Sequence, residues 1–208
     1  MLPIASEGWG FILVPLALAG LLVWAGWLKL ALLFGVVAIF MTFFFRDPER
    51  SAPAVPGAIL APADGKVVDV RTGVSDPFVG AAQAVSIFLS PLDVHVNRSP
   101  FAGLVIDVQY HPGAKVAAYR PDASERNERT AISIQGEAGR IVVRQIAGAL
   151  ARRIVCRVRA GDKLRAGERF GLIKFGSRTD LIVPASVELR VRKGDRVRGG
   201  ETVVGVLP

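Results

Sequence analysis

The chain has 208 residues, of which 51% are hydrophobic, and a formal net charge of +8. This length is sufficient for one folded domain with a substantial core. Cys156 is the single cysteine and only two histidines are present, which excludes an internal disulfide and argues against a His/Cys metal site. The positive charge favours an anionic membrane or nucleic acid, and the absence of nucleic-acid-binding motifs favours the membrane.

The hydrophobic residues concentrate near the N-terminus. Residues 11–28 and 30–45 carry no charge and are separated by Lys29. A single helix of roughly 35 residues would be about 50 Å long, well beyond the ~30 Å hydrocarbon core of a bilayer. We therefore predict a membrane-associated helical hairpin over residues 1–45, with two short helices and a turn near Gly26 and Lys29.

The residues that flank this segment indicate its topology. Trp24 and Trp27 would lie at a membrane interface, where amphipathic rings are enriched. No basic residue precedes the apolar run, which disfavours a cleaved signal peptide, and a buried hairpin of a soluble protein is the alternative. Arg46 and Arg50 follow the second helix, so the positive-inside tendency places residues 46–208 on the cytoplasmic side of the cell membrane.

Residues 46–208 have the pattern of a mainly β domain. Asp64-Gly65 is a tight-turn signal inside the apolar stretch 58–70 and predicts a hairpin. Further short strands follow at regular spacing, with glycine at the breaks, which predicts an antiparallel β-sandwich or barrel-like fold. The polar residues 114–129 interrupt this pattern as a predicted loop, with Arg126, Asn127 and Glu128 as candidate contacts or as solvated positions.

A polar cluster directly follows the predicted strand 84–90. If the chain is extended there, alternation places Asp93, His95 and Asn97 on one face and Arg98 on the other. Polar residues at the end of a buried strand are candidate functional residues, and a structural histidine is the alternative.

An internal repeat occupies the C-terminal third of the chain. Residues 158–173 and 191–206 share Val, Arg, Gly, Asp, a basic residue, Arg, Gly and Glu in the same order. The pattern of turn, short strand and second turn resembles the half-barrel unit of biotinyl and lipoyl domains. The Met-Lys-Met and Asp-Lys-Ala contexts of their modified lysine are absent, so a swinging-arm carrier is disfavoured.

The dipeptide Gly176-Ser177 lies between the two copies of the repeat. Glycine before serine permits a strained turn, in which the serine hydroxyl can attack the preceding carbonyl carbon and convert the amide into an ester. Elimination from that ester and hydrolysis would leave a pyruvoyl group. A neighbouring base must activate the hydroxyl, and Asp64 and His95 are the candidates; an ordinary turn is the alternative.

Several motifs resemble the short, prokaryotic, pyruvoyl-dependent phosphatidylserine decarboxylases. They are FFFRDPER at 43–50, APADGKV at 61–67, SPLDVHVNRSP at 90–100, YHPG at 110–113, ASERNER at 123–129 and GERFGLIKFGS at 167–177. The similarity extends from the membrane segment towards the C-terminus. It implies a proenzyme that cuts itself at Gly176-Ser177 into a β chain, 1–176, and an α chain, 177–208, that stay together as a heterodimer. Further homo-oligomerisation is left open.

The resemblance also implies roles for individual residues. Ser177 would become the covalent pyruvoyl cofactor, which forms a Schiff base with phosphatidylserine and releases CO2 and phosphatidylethanolamine. Asp64 matches the family's maturation aspartate, and His95 is the expected proton donor. Arg98, Arg178 and Lys174 are candidate contacts for the substrate phosphate.

The chain departs from longer family members at two positions. They carry His-x-x-His where this sequence has His95 and Arg98, so His95 would serve both maturation and catalysis unless His111 or an aspartate assists. They also carry threonine where Arg178 follows the Gly-Ser pair. Two alternatives to the lipid decarboxylase are a pyruvoyl decarboxylase of a soluble amino acid and a non-enzymatic, membrane-anchored lipoyl-like adaptor.

Overall fold

The computed structural model of the protein describes most of the chain, namely residues 3–114, 116–117, 120, 123–137, 139–148, 153–175 and 177–208. By its internal contacts the chain divides into two units, Met1–Glu49 and Arg50–Pro208. The first unit is helical and the second consists mainly of β-strands.

The helical unit is a hairpin, as the sequence predicted. After a 3-10 turn at Ser6–Gly8, helix α1 (Trp9–Trp24) and helix α2 (Leu28–Phe44) pack against each other. Gly26 adopts a φ of 78° in the connection between them, a left-handed conformation that glycine reaches without steric cost. At the open end, the backbone N–H of Ala5 donates to the carbonyl of Phe45 at 2.9 Å, which ties the two ends of the hairpin together.

The surface of this hairpin is largely apolar. Leu32 and Ile39, for example, are 70% and 72% exposed. Among the described residues, Ser6–Trp24 is one helical segment of 19 residues that is long and apolar enough to cross a membrane, and α2 is shorter. Signal sequences and buried helices of soluble proteins meet the same criterion, so length and composition alone do not assign the hairpin to a bilayer.

The second unit contains fourteen described strands and one short helix, α3 (Ala123–Arg126). The strands are β1 (Ala58–Leu60), β2 (Gly65–Asp76), β3 (Gly80–Leu89), β4 (Val96–Arg98), β5 (Gly103–His111), β6 (Arg129–Gly136), β7 (Gly139–Ala147), β8 (Arg153–Cys156), β9 (Lys163–Leu164), β10 (Arg169–Lys174), β11 (Ser177–Pro184), β12 (Glu188–Leu189), β13 (Arg196–Val197) and β14 (Val203–Val206).

These strands form one large and two small antiparallel sheets. The eight-stranded sheet has the order β13-β2-β3-β11-β7-β6-β5-β9. The small sheets have the orders β1-β14-β12 and β4-β10-β8. The main hydrophobic core includes Ile87, Ile132, Phe170, Leu181 and Val204, which are all fully buried, and so joins the large sheet to both small ones. The predicted antiparallel, mainly β fold is therefore confirmed.

The β unit is an internal duplication with pseudo-twofold symmetry. One copy comprises β1–β3 and β11–β14, and the other comprises β4–β10. The strands β1, β2, β3, β11, β12, β13 and β14 correspond in this order to β4–β10. When every strand is replaced by its counterpart, the strand order of the large sheet is reproduced in the reverse direction, and the two small sheets exchange places. The second copy is therefore inserted into the first, between β3 and β11.

Matching hydrogen bonds support this correspondence. The N–H of Gly161 donates to Val105 and that of Gly194 donates to Val67, both at 2.8 Å. These glycines have φ values of 94° and 105°. The repeat predicted at 158–173 and 191–206 is thus present as two equivalent strand–turn–strand units, β9–β10 and β13–β14. The two strands of each unit lie in different sheets and do not pair as a hairpin. The arrangement is compatible with the biotinyl- or lipoyl-like unit.

A second repeat was not among the sequence predictions. GKVVDV at 65–70 and GLVIDV at 103–108 begin β2 and β5, and both strands have a register shift after their first buried valine, Val67 or Val105. The signal was too short to detect without knowing that the two strands occupy equivalent positions in the sheet.

Substitution of Gly65 would test how strongly stability depends on the close contact between the backbones of β2 and β3. Gly65 has a φ of 146°, and a Cβ at this position would lie 2.1 Å from the carbonyl oxygen of Phe88. We expect Gly65→Ala to lower the free energy of unfolding by more than about 3 kcal/mol, because backbone rather than a flexible side chain must move. Chemical denaturation of the full-length protein in detergent, followed by circular dichroism, would measure this loss.

Gly73 provides the matched control. It also has a positive φ, 67°, but a Cβ added at this position would meet no atom within 4 Å. Gly73→Ala should therefore cost only the left-handed penalty of about 1–2 kcal/mol. Equal losses for the two variants would contradict the steric explanation.

Candidate active site

Strand β11 positions Ser177 at the edge where several strands end. Ser177 is the first residue of β11, where it pairs with Leu89 at the end of β3 and with Ala147 at the end of β7. Its side chain is fully buried, and its Oγ has no hydrogen-bond partner among the described residues. A buried hydroxyl normally has a partner, so this atom is a candidate reactive group.

The residues just before Ser177 form the connection from β10 to β11. Phe175 has a φ of 63°, and it is the one non-glycine residue with a positive φ in the described part of the chain. This left-handed conformation costs about 1–3 kcal/mol and is typical of functional sites. The strain predicted from the sequence for this turn therefore occurs at Phe175. Gly176 lies outside the described residues.

His95 lies at the end of β4 that is closer to Ser177. Its carbonyl accepts from the N–H of Ile173 at 3.3 Å, which places His95 beside β10 shortly before that strand leads into the Ser177 turn. The ring is fully buried, and Nδ1 lies 2.9 Å from the carbonyl oxygen of Asp93. Since a carbonyl can only accept, Nδ1 carries the proton, and Nε2 of the neutral ring is the nitrogen that can accept one.

The loop before His95 is held by its own side chains. Asp93 accepts from the N–H and hydroxyl of Ser90 at 2.8 and 2.7 Å, and the extended conformation begins only at Val96. The predicted alternation therefore applies only from Val96 onward, and Asp93 closes a turn before it. This turn fixes the carbonyl that orients the His95 ring.

Asp64 is held in an ion pair that the sequence did not reveal. Arg50 donates two hydrogen bonds to its carboxylate, the one from Nη2 at 2.8 Å, and the N–H of Gly199 donates a third at 2.8 Å. Strand β3 lies between the start of β2 and β11, so Asp64 and Ser177 are about two strand spacings, roughly 10 Å, apart. Asp64 thus joins Arg50 and Gly199, and its predicted role in maturation stays a prediction.

The other histidine is remote from this edge. His111 ends β5 and pairs with Arg129 of β6. Two strands, β6 and β7, separate β5 from β11, which corresponds to roughly 14 Å. The structure therefore does not bring His111 to Ser177.

A buried polar network lies beside Ser177 and was missed in the sequence. Asn97 donates to the hydroxyl of Thr179 at 3.3 Å, and the Nε2 of Gln145 donates to the Oδ1 of Asn97 at 2.9 Å. All three residues have no exposed surface. Gly171 leaves room for the Gln145 side chain, since a Cβ at position 171 would lie 2.8 Å from Gln145 Nε2. Gln145 gave no sequence signal because a glutamine in an apolar strand reads as an outward-facing position.

Arg178 faces the opposite side of the sheet from Ser177. Its guanidinium is 2% exposed and donates to Asp180 at 2.7 Å, to the hydroxyl of Ser86 at 2.6 Å and to the carbonyl of Arg120 at 3.3 Å. Asp180 accepts a further hydrogen bond from Ser124 at 2.6 Å. These contacts give Arg178 and Asp180 a role in holding Arg120 and helix α3 against β11.

The other two predicted phosphate contacts differ in their surroundings. Arg98 is 2% exposed and donates to the carbonyl of Gly167 at 3.1 Å. Lys174 is the last residue of β10, three positions before Ser177, and is only partly buried. Of the three cations, Lys174 is therefore the one nearest to both the turn and solvent.

Asn127 links the described residues of the predicted loop 114–129 to the sheet. Its side chain is buried and donates to the carbonyl of Ala147 at 2.6 Å and to that of Val116 at 2.8 Å. Because Ala147 pairs with Ser177, Asn127 supports the edge of the sheet at the candidate site. Arg126 is exposed and Glu128 is partly exposed.

The described residues contain no group of three or more His, Cys, Asp or Glu side chains that could hold a metal ion. Cys156 is partly buried on β8, and this burial raises the pKa of its thiol above the ordinary value. A raised pKa keeps the Cys156 thiol protonated, so Cys156 is a weaker candidate nucleophile than Ser177.

Comparison with known proteins identifies the family. A sequence model described as phosphatidylserine decarboxylase matches residues 37–205. The chain is 49% identical over 207 residues to the phosphatidylserine decarboxylase proenzyme of Symbiobacterium thermophilum, covering 99% of this chain and 96% of that protein. The chain belongs to the phosphatidylserine decarboxylase family. It is therefore a decarboxylase of phospholipid metabolism, as the resemblance predicted, and the adaptor alternative is set aside.

Two further phosphatidylserine decarboxylase proenzymes show the same extent of similarity. The proenzyme of Geotalea uraniireducens is 41% identical over 207 residues, covering 99% of this chain and 97% of that protein. The proenzyme of Burkholderia multivorans is 42% identical over 206 residues, covering 98% and 96%. The family relationship thus extends over the helical hairpin as well as the β unit.

The buried ion pair of Arg178 and Asp180 allows a stability test. We expect Arg178→Met to lower the free energy of unfolding by about 3–5 kcal/mol, because it leaves the Asp180 carboxylate buried without its cation. Chemical denaturation of the full-length decarboxylase would measure the loss. Adding Asp180→Asn to the same chain removes the uncompensated charge and should restore part of the stability. Additive losses in the double variant would contradict the pairing.

Proposed function

We propose that the protein is made as a proenzyme, cuts itself between Gly176 and Ser177, and decarboxylates phosphatidylserine to phosphatidylethanolamine with a pyruvoyl group formed from Ser177. The observation that carries this proposal is the fully buried Ser177 hydroxyl, which lacks a partner among the described residues and follows the strained Phe175. An ordinary turn serine would be solvated or hydrogen-bonded.

The self-cleavage follows from the groups around this serine. Ser177 Oγ attacks the carbonyl carbon of residue 176, the C–N bond breaks, and the amide nitrogen leaves as an amine, so that an ester replaces the peptide bond. His95 is the proposed proton acceptor, because its Nδ1–H is committed to the Asp93 carbonyl and its Nε2 is the basic atom of the ring. Relief of the left-handed Phe175 conformation would favour the attack.

The ester then breaks down without further reagents than water. Loss of the Ser177 Cα proton expels the carboxylate of residue 176 and leaves dehydroalanine at the new N-terminus. Hydrolysis of its tautomeric imine releases ammonia and gives the pyruvoyl ketone. The residues fit this group, since Ser177 has no exposed surface and lies at the end of a strand where a short α-keto acyl group replaces the side chain without filling new space.

In the mature enzyme the pyruvoyl group supplies an electron sink for the loss of the substrate carboxylate. His95 would return a proton to the substrate carbon. Lys174 is our candidate for the lipid phosphate, because it is partly exposed and close in sequence to Ser177. The predicted contacts of Arg98 and Arg178 would require these buried side chains to exchange their present acceptors, Gly167 for Arg98 and Asp180 for Arg178.

We further propose that the helical hairpin holds the enzyme at the cell membrane, with the β unit on the cytoplasmic side. The exposed apolar surface of α1 and α2 supports this location, and the net charge of +8 favours an anionic lipid surface. A membrane-bound enzyme meets phosphatidylserine in the plane of the bilayer. This requirement separates the proposal from a decarboxylase of a soluble amino acid.

Intact mass spectrometry of the purified protein tests self-cleavage. We expect two fragments, residues 1–176 and 177–208, with the smaller one blocked to N-terminal sequencing because it begins with a ketone rather than an amine. Ser177→Ala should remain one uncut chain and release no CO2 from phosphatidylserine. A single 22.2 kDa species in catalytically active membranes would exclude the proposal.

Lys174→Met tests the phosphate contact. A charge-assisted hydrogen bond contributes about 1.5–3 kcal/mol, so KM for phosphatidylserine should rise at least roughly tenfold while kcat changes little. The measurement is CO2 release from phosphatidylserine in mixed micelles. Lys163→Met, on the exposed strand β9, is the matched control and should leave both constants unchanged. An unchanged KM for Lys174→Met would refute this assignment.

A further inference from the structure

Two buried polar atoms near the proposed cleavage site have no hydrogen-bond partner among the described residues. One is Ser177 Oγ, a donor, and the other is the side-chain carbonyl oxygen of Gln145, an acceptor. Both residues have no exposed surface. An unsatisfied buried polar group costs about 1–3 kcal/mol, so two of them in one site call for a functional explanation.

The sheet register brings these two atoms to the same face. Gln145 pairs with Thr179 and Ala147 pairs with Ser177 on the neighbouring strands β7 and β11. Gln145 and Ser177 are therefore diagonal neighbours, with Cα atoms about 7–8 Å apart, which is within reach of a long side chain. Side chains two residues apart on a strand point to the same side of the sheet.

The orientation of the Gln145 amide is determined by its other contacts. Its Nε2 lies 2.9 Å from Asn97 Oδ1 and 3.3 Å from the carbonyl oxygen of Val155. A main-chain carbonyl can only accept, so the atom that faces Val155 must be the NH2 group. The opposite end of the amide is then the oxygen, which remains available to accept a hydrogen bond.

We propose that Gln145 is a positioning residue for self-cleavage, and this inference rests on the proposed function. Its Oε1 accepts a hydrogen bond from one water molecule that also donates to Ser177 Oγ, which holds Oγ towards the carbonyl carbon of residue 176 and leaves the Ser177 O–H to donate to His95 Nε2. Gln145 takes no proton itself, because an amide oxygen is too weak a base. The proton passes to His95 when the Oγ–C bond forms and the C–N bond breaks.

This role addresses the missing second histidine of the motif. Where longer family members have that histidine, this chain has Arg98, which donates to the Gly167 carbonyl. An arginine cannot accept a hydrogen bond from a hydroxyl. Another group must then help to orient Ser177, and Gln145 Oε1 is a buried acceptor for which the described part of the structure supplies no donor.

The test compares two substitutions of Gln145 in the full-length protein. Gln145→Met keeps the length of the side chain but removes the acceptor, and we expect self-cleavage to slow at least tenfold. Gln145→Glu should remain within several-fold of the natural protein near neutral pH, because burial favours the protonated carboxyl, whose O–H keeps one of the two amide hydrogen bonds and whose carbonyl keeps the acceptor. Denaturing gels over time after synthesis would give both rates.

Gln83→Met controls for a purely structural effect. Gln83 also lies on a strand beside β11, donates to the carbonyls of Ala185 and Val187 at 3.2 and 2.8 Å, and pairs with Val183, about 20 Å along β11 from Ser177. Its substitution removes a comparable set of hydrogen bonds and should leave the cleavage rate unchanged. A similar delay in Gln83→Met would assign the effect to stability and overturn the proposal.

Hydroxylamine identifies the step that Gln145 serves. Hydroxylamine cuts esters and not ordinary peptide bonds, so a Gln145→Met proenzyme blocked before the acyl shift should stay uncut in its presence. Cutting at residue 176 by hydroxylamine, or self-cleavage at the natural rate, would show that the shift does not need Gln145. If instead the natural protein is never cut, the proposed function itself fails, which is a separate outcome.

Discussion

The fold depends on the burial of strand β11 in the middle of the eight-stranded sheet. β11 is hydrogen-bonded to β3 on one side and β7 on the other, and seven of its eight residues are buried. On the face towards the core, the side chains of β11 change from polar at Ser177 and Thr179 to apolar at Leu181. On the opposite face, Arg178 and Asp180 form an ion pair. One strand thus carries Ser177, joins the two copies of the duplication, and holds Arg120 and Ser124 through Arg178 and Asp180.

The duplication explains where the proposed cleavage site lies. The chain completes the inserted copy at β10 and must return to the first copy at β11, and the connection between them contains Phe175 and the Gly-Ser pair. By symmetry, the residue of the second copy that corresponds to Ser177 is Gly139, at the start of β7. That position follows a tight hairpin from β6, whereas Ser177 follows the connection from β10 in the other copy. The two equivalent positions are therefore reached by different connections, and the proposed chemistry belongs to one of them.

Much of this arrangement could be predicted from local sequence, and the remainder depended on pairing across the chain. The hairpin of α1 and α2, the strands and the 158–173 repeat each have a periodicity within a short window. Gln145 and Arg50 have no such local signal, because their importance comes from strands and loops about 30 to 150 positions away, such as Ser177 or Gly199. The prediction that Arg178 contacts the substrate depends on its position next to Ser177 in the sequence. In a strand, however, adjacent side chains point to opposite faces of the sheet.

The separation of β1–β3 from β11–β14 in the chain has a consequence for how the protein matures. Residues 177–208 supply four strands, of which β11, β13 and β14 pair with upstream strands, and β11 completes the large sheet between β3 and β7. Under the proposed mechanism, the peptide bond before Ser177 keeps this last segment attached while it pairs with the other strands, and the bond is then cleaved. Cleavage would therefore be coupled to the completion of folding. The chain would acquire the pyruvoyl ketone only when the folded structure no longer depends on the peptide bond between residues 176 and 177.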